Sequence, residues 1–117
     1  MATSTIKATR EAITSMINVN TIGTKISLSK PINAFKTIAI RVSSDTDLTT
    51  GGGPQYLTFP VGDAANQIGL MYTLNGKIYA ITLQINSMTE LEIIGAYNLT
   101  DRNNTMAGGI RKIIGIN

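Results

Sequence analysis

The sequence predicts an all-β domain, an antiparallel β-sandwich or jelly-roll-like fold of about seven strands. Short runs that alternate apolar and polar residues recur between clusters of Gly, Pro, Asn and Asp, which is typical of a sandwich. The 117 residues can close one core, and 43% of them are hydrophobic while only 15% are charged. The dipeptide Asn75-Gly76 provides the strongest local signal, because both residues tolerate the positive φ that a type I′ hairpin turn requires.

That turn predicts a hairpin over residues 67–85 with a fixed register. Leu74 then pairs with Lys77 and Tyr72 with Tyr79, and the pairing continues outward along both strands. Directly opposed residues share a face of the sheet. The predicted core face carries Ile68, Leu70, Tyr72, Leu74, Tyr79, Ile81 and Leu83.

The opposite face of the hairpin is smaller and only partly polar. We expect Met71, Ile78 and Ala80 on this face to form a subunit interface, since the charge-poor composition is also typical of surfaces covered by partner chains. The alternative is that a second sheet of the same chain covers this face.

The N-terminal residues 1–22 are interpreted as a stalk or interface segment, separate from the β-sandwich domain of residues 23–117. Within this segment, residues 6–17 are the only plausible helix, because their apolar residues fall on one stripe. An extended segment is the alternative, since so short a helix is not stable alone. The stripe consists of Ile6, Ile13, Met16 and Ile17.

The remaining strands follow from alternation along the chain. Pro31 cannot donate a ladder hydrogen bond, so residues 30–35 are predicted as a loop with Ile32 and Phe35 beneath the sheet. Pro60 likewise predicts an edge or a terminus for the strand that contains it. A closing strand is expected over residues 110–117. The predicted inward residues of the other strands are Ile26 and Leu28; Ile38, Ile40 and Val42; Leu57, Phe59 and Val61; and Leu91, Ile93, Gly95 and Tyr97, with Thr37, Ala39, Arg41 and Ser43 outward.

The residue types present exclude catalytic and metal sites that depend on His or Cys. The chain has no His and no Cys, so the commonest general base, the thiolate nucleophile and the best transition-metal ligands are missing. We therefore predict no catalytic residues, no metal and no cofactor. Two alternatives stay open beside a solvated surface: Glu90 and Glu92 as a glycosidase pair, and residues 45–47 as part of a Ca²⁺ site.

Charge and hydropathy also limit the partners. The net charge is +3, and the only adjacent basic pair is Arg111-Lys112, so a nucleic-acid footprint is not supported. No signal peptide is recognised, and no apolar run approaches the length of a membrane span, so we expect no membrane insertion.

Three stretches carry a resemblance to C-terminal domains of phage tail fibres and receptor-binding proteins. GTKISLSKPINAFKTIAIRV at residues 23–42 resembles their opening strand of the TITLS kind, the short I-x-N-F or I-x-x-Y connector, and the second apolar strand. Residues 55–61 are similar to the strand after their variable loop. IRKIIGIN at residues 110–117 resembles their closing strand, with Asn117 in the final position.

The resemblance implies a β-sandwich tip domain of a phage adhesin, usually a homotrimer in the virion that binds a host cell-surface glycan or protein. It transfers no catalytic residue, and the binding residues of such tips lie in loops. Two polar, glycine-rich loops, residues 44–54 and 98–109, are therefore the predicted receptor-binding regions. Other virion proteins are expected partners as well. The candidate receptor-binding residues are Asp45, Asp47, Thr49, Thr50, Tyr56, Asp101, Arg102, Asn103 and Asn104.

Two other function classes compete with a receptor-binding tip. A capsid decoration or head-fibre protein would use the same apolar faces to grip a capsid lattice. A polysaccharide hydrolase is the second alternative, and it depends on Glu90 and Glu92.

Overall fold

The computed structural model describes residues 9–42, 55–63 and 66–117, and within them it confirms the all-β sandwich. Two four-stranded antiparallel sheets pack against each other. Sheet A has the strand order β1-β8-β3-β4, and sheet B has the order β2-β7-β6-β5. The strands are β1 Arg10–Ala12, β2 Lys25–Ser27, β3 Thr37–Val42, β4 Gln55–Pro60, β5 Gln67–Leu74, β6 Lys77–Ser87, β7 Glu90–Asn98 and β8 Ile110–Ile116, with two 3₁₀ turns at Ile32–Ala34 and Val61–Asp63.

The chain wraps so that its first two strands pair with its last two, β1 with β8 and β2 with β7. This wrapping is a feature of jelly rolls. The middle of the chain is simpler, because β5, β6 and β7 form a meander within sheet B and β3 pairs directly with β4 in sheet A.

The hairpin of β5 and β6 has the predicted turn and register. Asn75 and Gly76 adopt φ angles of 51° and 78°, as a type I′ turn requires. Leu74 pairs with Lys77 and Tyr72 with Tyr79. All seven residues predicted for the core face are buried, and the two tyrosine rings stack with centroids 5.4 Å apart.

The core lies between the two sheets and is built almost entirely from the predicted inward positions. Each fully buried Ile or Leu contributes about 1.5–3 kcal/mol relative to an exposed position. Ile32 and Phe35 are buried beneath the sheets, as expected, and β4 is an edge strand that ends at Pro60. Ala39, predicted outward, lies on the outer face of sheet A but is only 4% exposed, at the bottom of a groove between larger side chains.

The helix predicted for residues 6–17 is wrong over the described residues. Arg10–Ala12 form strand β1, and the Ile13 amide donates to the Ile113 carbonyl at 2.9 Å. Ile13 is fully buried by this pairing, whereas Met16 is exposed. A long-range partner therefore decides the structure of this segment, and residues 10–12 are part of sheet A. Residues 1–8 lie outside the described residues.

The predicted inward face of β7 is correct only for its first half. Thr82 pairs with Gly95, but the next residue, Leu83, pairs with Ile93, so Ile94 is an extra residue in a β-bulge. The bulge reverses the alternation. Gly95 and Tyr97 consequently lie on the outer side, and the prediction that they face the core was wrong. Ala96 and Asn98 are buried in their place.

Candidate functional site

The two predicted loops leave the sandwich at the same end, which we call the loop end. Val42, where β3 ends, pairs with Gln55 of β4 and with Ile110 of β8. The Gln55 side chain joins the two sheets through hydrogen bonds to the backbone of Thr73, beside the hairpin turn. The strand ends that flank residues 43–54 thus lie next to the loop that follows Asn98.

Several predicted binding residues of the first loop fall outside the described part of the chain. They are Asp45, Asp47, Thr49 and Thr50. The Ca²⁺ alternative at residues 45–47 lies there too.

Asn98 anchors the second loop, and the sequence analysis missed this residue. Its side chain is buried although it is polar. The Asn98 Oδ1 atom accepts from the Asp101 amide at 2.9 Å, and Nδ2 donates to the Thr105 carbonyl at 3.3 Å. The Asn98 and Asn103 backbones pair as an isolated bridge. A buried polar group needs such partners, so Asn98 holds the loop in a defined shape.

Asp101 also has a structural role. Its carboxylate forms an ion pair with Lys77 and accepts from Asn98 Nδ2 at 3.2 Å. The hydrogen bond from Lys77 lowers the pKa of Asp101 below its ordinary value, and the same hydrogen bond raises the pKa of Lys77. Beside the pair, the Thr100 hydroxyl accepts from the Ile78 amide at 2.9 Å. The loop is therefore tied to the start of β6.

Tyr72 provides a further attachment from the core to the same loop. Its hydroxyl donates to the Ala107 carbonyl at 2.7 Å, and burial raises the pKa of the phenol. Residues 98–107 of this predicted polar loop are therefore held in place by hydrogen bonds to β6, to the core and within the loop.

The other candidates in this loop point to solvent. Arg102 is exposed and adopts a positive φ of 56° in the turn. Asn103 is exposed, but its Oδ1 atom accepts from the Thr105 amide at 3.0 Å. Asn104 is exposed and lines a cleft. Arg102 and Asn104 are thus the candidates without a structural hydrogen bond among the described residues.

The cleft beside Asn104 has a volume of about 300 Å³ and lies between the loop and the N-terminal segment. Its floor is Ala96, and Ile22 and Met106 add apolar surface. Asn20 also lines it, with its Nδ2 atom donating to the Gly108 carbonyl at 2.8 Å. The contribution of Asn20 and Ile22 was not predicted, because residues 1–22 were interpreted as a segment separate from the sandwich.

Tyr56 does not join the loop residues. It lies on the outer face of sheet A, is 48% exposed, and pairs across the sheet with Arg41. A groove of about 260 Å³ lies beside its ring.

Glu90 and Glu92 share the outer face of sheet B, as predicted. Both carboxylates accept from the Nδ2 atom of Asn86, at 3.0 and 2.9 Å.

In the described residues no group of three or more acidic, His or Cys side chains could hold a metal ion. No helix of the described chain is long and apolar enough to cross a membrane.

Comparisons with known proteins identify no relative. No family model matches the sequence, and no curated protein matches it.

Proposed function

We propose that this chain is a non-enzymatic phage virion protein, the receptor-binding tip of a tail fibre that attaches to a glycan or protein on the host cell surface. The observation that carries the proposal is that the strand ends flanking residues 43–54 lie beside the polar loop of residues 98–109, at one end of the sandwich. Recognition commonly resides in loops that a rigid scaffold presents together. The resemblance of residues 23–117 to phage tip domains supports the same function.

The side chains at the loop end have two different roles, one structural and one in the proposed binding. Asp101 and Asn103 shape the turn, so they position the surface rather than offer free hydrogen-bonding groups. Arg102 and Asn104 present a cation and an amide to solvent, and such groups suit hydroxyl-rich sugars or acidic side chains. We assign the receptor contact to these two residues and to the polar residues of the first loop.

The outer face of sheet B supports a homotrimer. Ala80 lies directly between Met71 and Tyr97 on neighbouring strands, and Ile78 and Leu99 extend the surface toward the loop end. Four of these five side chains are exposed, between 38% and 57%. We call these five residues the apolar patch. A continuous apolar surface of this kind is commonly covered by another chain.

The apolar patch also favours the second candidate function, a capsid decoration or head-fibre protein. In that case the patch would contact capsid subunits instead of neighbouring copies. The hydrolase alternative has weaker support. Glu90 and Glu92 both bind the Asn86 amide, and among the described residues no wall of a substrate cleft faces the two carboxylates.

Electron microscopy of virions labelled with an antibody against this chain separates the two candidates. We expect label at the ends of the tail fibres. Label distributed over the head would contradict the tail-fibre assignment and favour capsid decoration.

A further inference from the structure

The outer face of sheet A differs in charge from the rest of the described surface. By alternation, Arg41 of β3, Lys112 of β8 and Arg10 of β1 all point away from the core. Glu11 alternates to the other side of β1, where it forms an ion pair with Lys30 at 2.8 Å. The strand residues of this face include three cations and, among the described residues, no carboxylate. We call it the basic face.

Two of these cations are direct neighbours. Arg41 and Lys112 are opposed across β3 and β8. Like charges directly opposite each other destabilise a sheet. The Arg41–Lys112 pair therefore adds no stability to the fold. An anionic ligand would relieve the repulsion between the two side chains by accepting a charge-assisted hydrogen bond from each of them.

A groove on the same face gives such a ligand a place to lie. Its floor is Ala39, only 4% exposed, between the side chains of Ile114 and Thr58. Tyr56, which is 48% exposed, forms one wall beside Arg41, and Arg10 lies at the opposite end. The groove itself is lined by an aromatic ring, a hydroxyl, an apolar floor and the cation Arg10. Arg41 and Lys112 lie beside it, in the same row across the sheet as Tyr56.

The spacing of the cations indicates an extended ligand. Arg10 lies in the same row across the sheet as Thr37, four residues along β3 from Arg41. At about 3.3 Å per residue, the two rows are roughly 13 Å apart. A single sugar cannot reach both rows, whereas a short linear chain can.

The groove favours a glycan over a nucleic acid. Proteins that bind single strands stack successive bases on several aromatic rings, and this groove has only Tyr56. Duplex binding draws mainly on neutralising many phosphates with Lys and Arg, and the strand residues of this face supply three cations. A sugar ring needs one aromatic face and a few hydrogen bonds.

We propose that the basic face binds a linear anionic glycan, with its acid groups on Arg41, Lys112 and Arg10 and one sugar ring against Tyr56. This inference assigns a second binding surface, apart from the loop end, and it does not depend on the receptor contact proposed there. Direct binding needs no cells, so failure of the inference can be told apart from failure of host attachment.

Calorimetric titration of the full chain tests the inference with four oligomers of similar length. Oligogalacturonate carries carboxylates, a heparin-derived oligosaccharide carries sulfates, a maltooligosaccharide is neutral, and an oligothymidylate represents nucleic acid. We expect at least one anionic oligosaccharide to bind more tightly than the oligothymidylate, and the neutral oligosaccharide not to bind. The stronger of the two anionic arms identifies the acid group.

The variant pair R41Q/K112Q should weaken that binding about tenfold or more, because two charge-assisted contacts are lost. Its melting temperature should not fall, since the like-charge pair is removed. The matched control K25Q/K30Q removes two exposed cations that lie outside the basic face and the loop end, and it should bind as the wild type does.

Three results would overturn the inference. They are no binding of either anionic oligosaccharide, tighter binding of the oligothymidylate, and an equal loss of binding in the control variant.

Discussion

The ring of Phe35 occupies the space that a side chain on Gly115 would need. Gly115 lies on β8 and points into the core, where a Cβ atom would overlap the Phe35 ring atoms Cγ, Cδ1 and Cδ2. Phe35 is itself buried at the end of the 3₁₀ turn that follows Pro31. The closing strand and the connector between β2 and β3 are therefore fitted to each other.

This contact predicts a large effect for a small substitution. Gly115→Ala should lower the free energy of unfolding by about 1–3 kcal/mol, because overpacking displaces the ring or the strand. Gly69→Ala is the matched control, since a Cβ at Gly69 meets no atom within 4 Å. Thermal or urea unfolding measures both. Equal stabilities of the two variants would contradict the packing described for Phe35.

The hairpin turn gives a second prediction. Gly76 has a φ of 78°, which a β-branched residue strongly resists. Gly76→Val should cost on the order of 1–3 kcal/mol of stability through backbone strain. Gly69→Val serves as the control, because Gly69 lies in β5 at an open position without positive φ. A wild-type melting temperature for Gly76→Val would place the turn elsewhere.

The third prediction concerns pH. Because the pKa of Asp101 is lowered in the folded protein, its ion pair stabilises the fold above the ordinary value of 3.8, and this contribution is lost as pH falls through the lowered pKa. The raised pKa of Lys77 sets the alkaline limit. The stabilisation from the ion pair is fully present below pH 10.5 and is lost as pH rises through the raised pKa of Lys77. The effect should be modest and salt-sensitive, because both groups are exposed.

Melting curves of the wild type and Asp101→Asn across this range provide the measurement. Their difference in melting temperature should be constant near neutral pH and shrink below pH 4. Arg102→Ala should match the wild type at every pH, since its side chain has no structural partner among the described residues. A pH-independent difference would mean that the ion pair adds no stability.

The apolar patch on sheet B predicts self-association. Light scattering should give about three times the 12.5 kDa chain mass, as expected for a homotrimer. Met71→Lys should shift the protein toward a monomer, because it places a charge in the proposed interface. Met16→Lys is the control, since Met16 is similarly exposed outside the patch. A wild-type monomer at micromolar concentration would argue against the trimer.

Local patterns predicted much of the fold, and long-range pairing decided the rest. The register of β5 and β6 follows from Asn75-Gly76 because turn and partners are adjacent in sequence. Arg10–Ala12 could not be recognised as a strand, since its partner β8 lies at the other end of the chain. The bulge at Ile94 likewise depends on pairing with β6, and it turned Tyr97 outward against the alternation.

The same distinction holds for the candidate site. Composition identified residues 98–109 as a polar loop, but it did not reveal that Asn98 is buried and organises it. Alternation along β7 placed Asn98 on the outer side, and only the bulge at Ile94 turned it toward the core. The basic face was not predicted, because Arg10, Arg41 and Lys112 are far apart in sequence. Only strand pairing brings them onto the same face of sheet A.

The central claim is attachment through the loop end, and adsorption of labelled protein to a panel of bacterial strains tests it most directly. The account predicts saturable binding to a susceptible strain. Binding should fall markedly for Arg102→Ala/Asn104→Ala and remain unchanged for Lys25→Ala, an exposed cation on sheet B, with all variants melting alike. Saturable adsorption that survives the loop-end changes, or no adsorption to any strain that the parent phage infects, would contradict the account.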